Sequence, residues 1–259
     1  MNNDNKINAN YLNSKQIEDI CNVLTDIYTE DKLRTNGTII NQIDIEDFVI
    51  HYLGCRIVYE SIEEQEAIDR DMDCMGVISD GIKPISVVRD GSLQKIIFPK
   101  DTIVLDKYLN GPNQANHKRF VIAHEAGHVI KNRMFGTVST EYNHAGGVVL
   151  TSTAALTKRY SIKELEANNF AACLLMPEGM VAMLMNRLYD DERIVKYQND
   201  ILDGEDIDKI KFMAKSLGVS YMAMFYRLKN LGFMIDGVLE SYVEDTVLGG
   251  SDDKRRNET

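Results

Sequence analysis

The sequence predicts an α+β protein, with a small mixed sheet packed against a helical core and a C-terminal helix-turn-helix-like pair. Three observations carry this reading. Short Ile/Val-rich runs separated by turn residues fill residues 56–105, and stretches with three- to four-residue apolar spacing flank them. Near the C-terminus, Gly218-Val-Ser220 divides two further helical patterns. At 259 residues the chain can bury a substantial core. Its expected organisation is N-terminal helices and sheet over 1–110, central helices over 111–200, the helical pair over 201–248 and a disordered tail over 249–259.

The elements follow in order. Ile17, Ile20, Leu24 and Ile27 recur at helical spacing, which predicts an amphipathic helix from Ser14 to about Thr29. Ile43 to Leu53 reads as a second helix, stopped by Gly54. Arg56–Tyr59, Lys83–Val88 and Lys95–Phe98 have strand composition; Asp90-Gly91 supplies the turn between the last two, and Thr102–Leu105 extends the sheet. Such a sheet edge beside a functional helix is a place where an extended peptide can add as a strand. Residues 136–155, with Gly146-Gly147 and many Ser and Thr, form a long loop suited to an active-site lid.

The run Phe120-Val-Ile-Ala-His-Glu-Ala-Gly-His-Val-Ile130 contains an HExxH motif. Histidines four residues apart lie about 40° apart around a helix, so His124 and His128 project from one face. That spacing suits two corners of a tetrahedral zinc site and leaves Glu125, one residue round, placed to act as a general base. The bland alternative is a pair of polar residues on an amphipathic helix. Val121, Ile122, Ala123, Val129 and Ile130 weigh against it, because burying two histidines and a glutamate among them is costly unless something satisfies them.

A catalytic zinc site takes three protein ligands and keeps a fourth position open. A second helix, Ser161 to Met176, ending at Pro177, offers a carboxylate. Glu164, Asn168, Ala171 and Leu175 share one face of it, so Glu164 is the chosen third ligand, and Asn168 is placed to hydrogen-bond the far nitrogen of a ligating histidine. Ser161 and Glu164 also read as a capping box, which would make Glu164 a cap and Glu166 the ligand. His144, in Asn143-His-Ala-Gly-Gly147, is a loop histidine, a further ligand candidate or a transition-state hydrogen-bond donor. Tyr142 and Tyr160 are the other candidate oxyanion donors.

Arg119-Phe-Val-Ile-Ala-His-Glu-Ala-Gly-His128, followed by Glu164-x-Glu-Ala-Asn168-x-Phe-Ala-Ala-x-Leu-Leu-Met-Pro177, resembles the ImmA/IrrE family of metallopeptidases. Ala214 to Gly232 resembles that family's C-terminal element, and the resemblance spans roughly residues 45–235. It implies a zincin-like helical core and a gluzincin-type site, with Glu164 opening the pattern E-x-x-x-[DN]-x-F. It also implies a protein substrate: a helix-turn-helix repressor of mobile elements or stress responses, often encoded alongside. Residues 129–163, between His128 and Glu164, make a longer linker than a minimal member needs.

On this reading His124, His128 and Glu164 hold zinc, and Glu125 takes the proton of the attacking water and passes it to the leaving amine. Manganese or iron can occupy similar nitrogen–oxygen sites. The net charge of −11 argues against phosphate-backbone binding as the main activity. Cys21, Cys55, Cys74 and Cys173 lack CxxC spacing and read as reduced thiols. The polar start has no apolar signal core, and no run is long and apolar enough to span a membrane, so a cytoplasmic location is expected.

The second helix of the C-terminal pair offers Arg227, Lys229 and Asn230, yet Met222, Met224, Phe225, Tyr226 and Leu228 dominate it. Packing on the catalytic core or on a partner is the expected role. Three functions stay open: a zinc endopeptidase of narrow specificity, a regulatory protein that sequesters a partner without proteolysis, and a DNA-binding regulator using residues 207–230.

Overall fold

The structure, a computed structural model, describes residues 11–37, 39–63, 75–136, 162–190 and 192–248. Cys74, the lid candidate beyond Gly136, Ser161 and the tail 249–259 lie outside the described residues.

Helix α1 (Ser14–Asn36) starts on a capping box between Asn13 and Gln16. It ends where Gly37 turns left-handed at φ 66° and donates to the Leu33 carbonyl. The helix therefore runs past the expected Thr29. Its buried line is Ile17, Cys21 and Tyr28, with Ile20 and Leu24 half-buried, while Ile27 is exposed. A cysteine and a tyrosine occupy core positions that an aliphatic pattern overlooks. Helix α2 (Ile45–Asp47) opens into a π-type turn over Phe48–Tyr52, and Gly54 at φ 60° follows its end.

Five strands form one sheet: β1 (Arg56–Ile62), β2 (Gly76–Ser79), β3 (Ile85–Arg89), β4 (Ser92–Ile96) and β5 (Thr102–Asp106), in the order β2-β5-β1-β3-β4. β1 and β5 run parallel and the other pairs antiparallel, so the sheet is mixed. Asp90 and Gly91 both take positive φ, 51° and 72°, and pair Arg89 with Ser92 in a tight hairpin. That short turn starts β4 at Ser92, ahead of the expected Lys95. Alternate residues face opposite sides: Ile78, Ile103 and Leu105 join the main core, while Val77, Val87 and Val104 join a smaller cluster with Ile85 and Phe98.

Helix α3 (Ala115–Phe135) follows β5 through a 3-10 turn at Lys107–Asn110. Every residue from Val121 to Ile130 is buried, because β2 and β5 cover one side and α4 (Ile162–Leu175) the other. Pro177 ends the run after α4 but also caps α5 (Glu178–Tyr189), a helix the sequence reading did not identify. Beyond it lie β6 (Ile194–Lys196), α6 (Gly204–Leu217), α7 (Tyr221–Asn230), β7 (Met234–Asp236) and the short α8 (Leu239–Tyr242). β6 and β7 pair in parallel as a second, two-stranded sheet. Gly218 at φ 64° closes α6, and the Ser220 side chain caps α7. No described helix is long and apolar enough to cross a membrane.

The C-terminal pair packs inward. Met224, Phe225 and Leu228 of α7 are buried. The buried Arg227 donates from both terminal nitrogens to the Glu18 carboxylate on α1, at 2.6 Å each, and from Nε to the Met176 carbonyl at 2.9 Å. Lys229 pairs with Asp200 at 3.4 Å. From α3, Arg119 donates to the carbonyls of Leu217 and Gly218 at the end of α6, and to Ile43 ahead of α2.

Burial opposes charge on Glu18, but the hydrogen bonds and charge of Arg227 outweigh it and hold the carboxyl below its ordinary value. A depressed carboxyl pKa contributes stability that is fully present above the unfolded value and lost as pH falls through the folded one. Glu18→Gln leaves a buried guanidinium without its counter-charge, and we expect a loss of about 3–5 kcal/mol by urea unfolding at pH 7. The gap between the native chain and this variant should narrow as pH falls from 6 toward 3.

Candidate metal centre

The two histidines of the HExxH run lie one turn apart on the buried stretch of α3, 1% and 7% exposed. What brings the third residue to them is the closeness of α4. A Cβ built on Gly127 would stand 2.7 Å from Phe170 Cβ and 3.2 Å from Ala167 Cα, so the helices touch where α3 has no side chain. Ala167 and Ala171 keep the facing surface of α4 low. At this separation Glu164, in the first turn of α4, reaches both imidazoles.

His124 Nε2 lies 3.1 Å from His128 Nε2 and 3.1 Å from Glu164 Oε2, and His128 Nε2 lies 3.5 Å from Glu164 Oε1. Four ligands about 2.0–2.1 Å from a central ion stand about 3.3–3.4 Å apart at the corners of a tetrahedron. The separation of the two imidazole nitrogens, and of each from its nearer Glu164 oxygen, is thus close to an edge of such a tetrahedron. Among the described residues, this trio forms a group able to share a metal ion. Its chemistry fits as well. His124 Nδ1 and Asn168 Oδ1 are 2.9 Å apart, so the amide oxygen accepts a hydrogen bond from Nδ1–H and the Nε2 lone pair of the neutral ring points toward His128 and Glu164.

The electrostatics of the trio without an ion are those of a buried ion pair. Burial lowers the His124 pKa, yet the Glu164 hydrogen bond and the Glu125 and Glu164 charges outweigh it and leave it raised. Burial raises Glu164, but hydrogen bonds from His124 and His128 prevail and hold it at about 2. A divalent cation would take over that role, favouring neutral imidazoles and an ionised carboxylate.

Glu125 is fully buried on the side of α3 that faces β2. A Cβ at Gly76 would lie 3.1 Å from Glu125 Oε1 and 2.7 Å from Val121 Cγ1, so this strand position accommodates the motif glutamate by having no side chain. Sequence reasoning missed Gly76 along with the whole of β2. A small residue opening a Val-Ile pair was the one signal available. Gly127 was visible inside the motif, although nothing local marks it as the point of helix contact.

Glu166 lies elsewhere. It is 2% exposed, accepts from the Leu12 N–H at 2.6 Å and pairs with Lys131 on α3, so its carboxylate ties the N-terminal segment to the two helices. Tyr142, His144 and Tyr160 lie outside the described residues.

Residues 102–229, which are 128 of the 259, match the peptidase family model described as an IrrE N-terminal-like domain. The matched segment runs from β5 to α7, a narrower span than the 45–235 of the sequence resemblance. No curated protein matches the chain. Family and trio together support a metal-dependent, peptidase-like function.

Two outcomes follow from the packing. Gly127→Ala forces α3 and α4 apart and should cost about 1–3 kcal/mol in urea unfolding. Asn168→Ala frees the His124 ring and should weaken zinc binding by about 10–100-fold in a chelator competition, with little change in fold.

Proposed function

We propose that the chain is a zinc-dependent endopeptidase of narrow specificity, acting on a helix-turn-helix repressor or a similar regulatory protein. The observation that carries the proposal is the convergence of His124, His128 and Glu164, with metal-ligand-like separations, beside a buried Glu125. In this reading His124 and His128 ligate through Nε2, and Glu164 supplies the carboxylate oxygen. Asn168 orients the first imidazole. The engagement of Glu166 with Leu12 and Lys131 supports Glu164 as the third ligand.

Zinc supplies the Lewis acidity that polarises a peptide carbonyl and activates water for attack. Glu125 is the general base: its carboxylate receives the water's proton and delivers it to the departing amine nitrogen. The walls of Val121, Ile122 and Val129 exclude bulk water from the helix, which strengthens the charge interactions of the carboxylate. Two features of the C-terminal pair favour a protein-directed role over direct DNA binding: Arg227 is buried against Glu18, and Lys229 is paired with Asp200.

The test is a survey of new protein N-termini in a cell lysate incubated with the native chain or with Glu125→Gln. Narrow proteolysis should yield one or a few new termini with the native chain, and none above background with the variant. A regulator that works by sequestration would produce no new termini, and its effect on a partner would persist in Glu125→Gln.

A further inference from the structure

Two buried thiols meet where α1 packs on α4. Cys21 of α1 is 0% exposed and shares a side-chain hydrogen bond with Cys173 of α4. Its Sγ also lies 4.0 Å from the Phe170 carbonyl oxygen. Cys55 differs: its sulfur faces Arg133 and the Leu53 carbonyl, with no second thiol beside it among the described residues.

The paired thiols are not equivalent. A partly open cavity of about 810 Å³ lies between the N-terminus of α1, the first half of α3, α4 and α7. Cys173, 5% exposed, lines it together with Glu18 and Arg227, whereas Cys21 sits behind Cys173 and does not. Cys173 Sγ donates to Glu18 Oε2 at 3.2 Å and accepts from Arg227 Nη1 at 3.6 Å. The guanidinium stabilises negative charge that develops on the sulfur, and the carboxylate is positioned to receive the S–H proton. Burial pushes the Cys21 thiol well up, which makes it the poorer first nucleophile.

We propose that Cys173 is an oxidation site for small hydroperoxides, and that Cys21 resolves the oxidised product as a Cys21–Cys173 disulfide. With hydrogen peroxide, an oxidant little larger than water, the Cys173 sulfur attacks one oxygen. An S–O bond forms, the O–O bond breaks, and its electron pair leaves with the other oxygen. The S–H proton passes to Glu18 and on to the departing hydroxide, giving water and a sulfenic acid. Sulfur is oxidised by two electrons and the peroxide is reduced by two. The Cys21 sulfur then attacks the Cys173 sulfur: the S–S bond forms, the S–O bond breaks, and hydroxide leaves with the Cys21 proton as a second water. The crosslink pins α4, the helix that carries Glu164 and Asn168, to α1. Neither step involves the His-Glu trio, so the oxidation site stands whether or not the chain is a peptidase.

The test treats the folded, full-length chain with hydrogen peroxide, blocks remaining thiols with N-ethylmaleimide in urea, and maps tryptic peptides by mass spectrometry. Peptides 16–32 and 164–187 should appear joined, two hydrogens below their summed mass. The joined fraction should rise at least about tenfold over the untreated chain and disappear with dithiothreitol. Cys21→Ala should leave a Cys173 sulfenic acid that dimedone captures, while Cys173→Ala should leave Cys21 reduced. The native map stands without these variants if either fails to fold. The proposal is overturned if both thiols are alkylated after treatment, if Cys173 sulfenic acid persists uncrosslinked in the native chain, or if the disulfide runs to Cys55 or Cys74. A chain unfolded in urea before oxidation that gives as much of the Cys21–Cys173 link would overturn it too, as would oxidised Cys21 in Cys173→Ala.

Discussion

The contact between α3 and α4 at Gly127 is the constraint on which the site depends. Two histidines on one helix face offer only an edge of a coordination shell, and the third ligand has to come from another element at close range. A glycine facing Ala167 and Phe170 brings the backbone of α4 within van der Waals reach. Residues one turn apart on α4, Glu164 and Asn168, then engage opposite nitrogens of one imidazole, Nε2 and Nδ1. A larger residue at 127 would move both partners at once.

Around this contact, buried charges act as long-range staples. Glu166 joins Leu12 and Lys131; Glu18 on α1 holds Arg227 on α7; Arg119 on α3 holds the carbonyl end of α6. Each links segments far apart in the chain. Removing either partner of such a pair leaves the other buried and unmatched, which is why these contacts constrain arrangement more than they add net stability.

What could be read from the sequence was what local spacing determines. The four-residue interval of HExxH and the face shared by Glu164, Asn168 and Ala171 are properties of a helix alone, and the structure gathers His124, His128 and Glu164 as that spacing implies. Asp90-Gly91 was legible because a two-residue hairpin demands positive φ. The illegible parts are those that tertiary contact decides. β2 is four residues long and starts on a glycine, while β6 and β7 have three residues each and are held by pairing with one another. The buried line of α1 runs through Cys21 and Tyr28 rather than Ile27, because the neighbours across the interface choose the face. Glu166 reads locally as the alternative ligand; its partners Leu12 and Lys131 are invisible to a local reading.

The proposed chemistry depends on the trio being a metal site with Glu164 as its carboxylate. Elemental mass spectrometry of the purified chain, compared with Glu164→Gln and Glu166→Gln, tests this directly. The expected result is one zinc per native chain, retained in Glu166→Gln provided that variant folds, and lost in Glu164→Gln. Metal retained in Glu164→Gln, or no metal in the native chain after handling without chelators, would contradict the account.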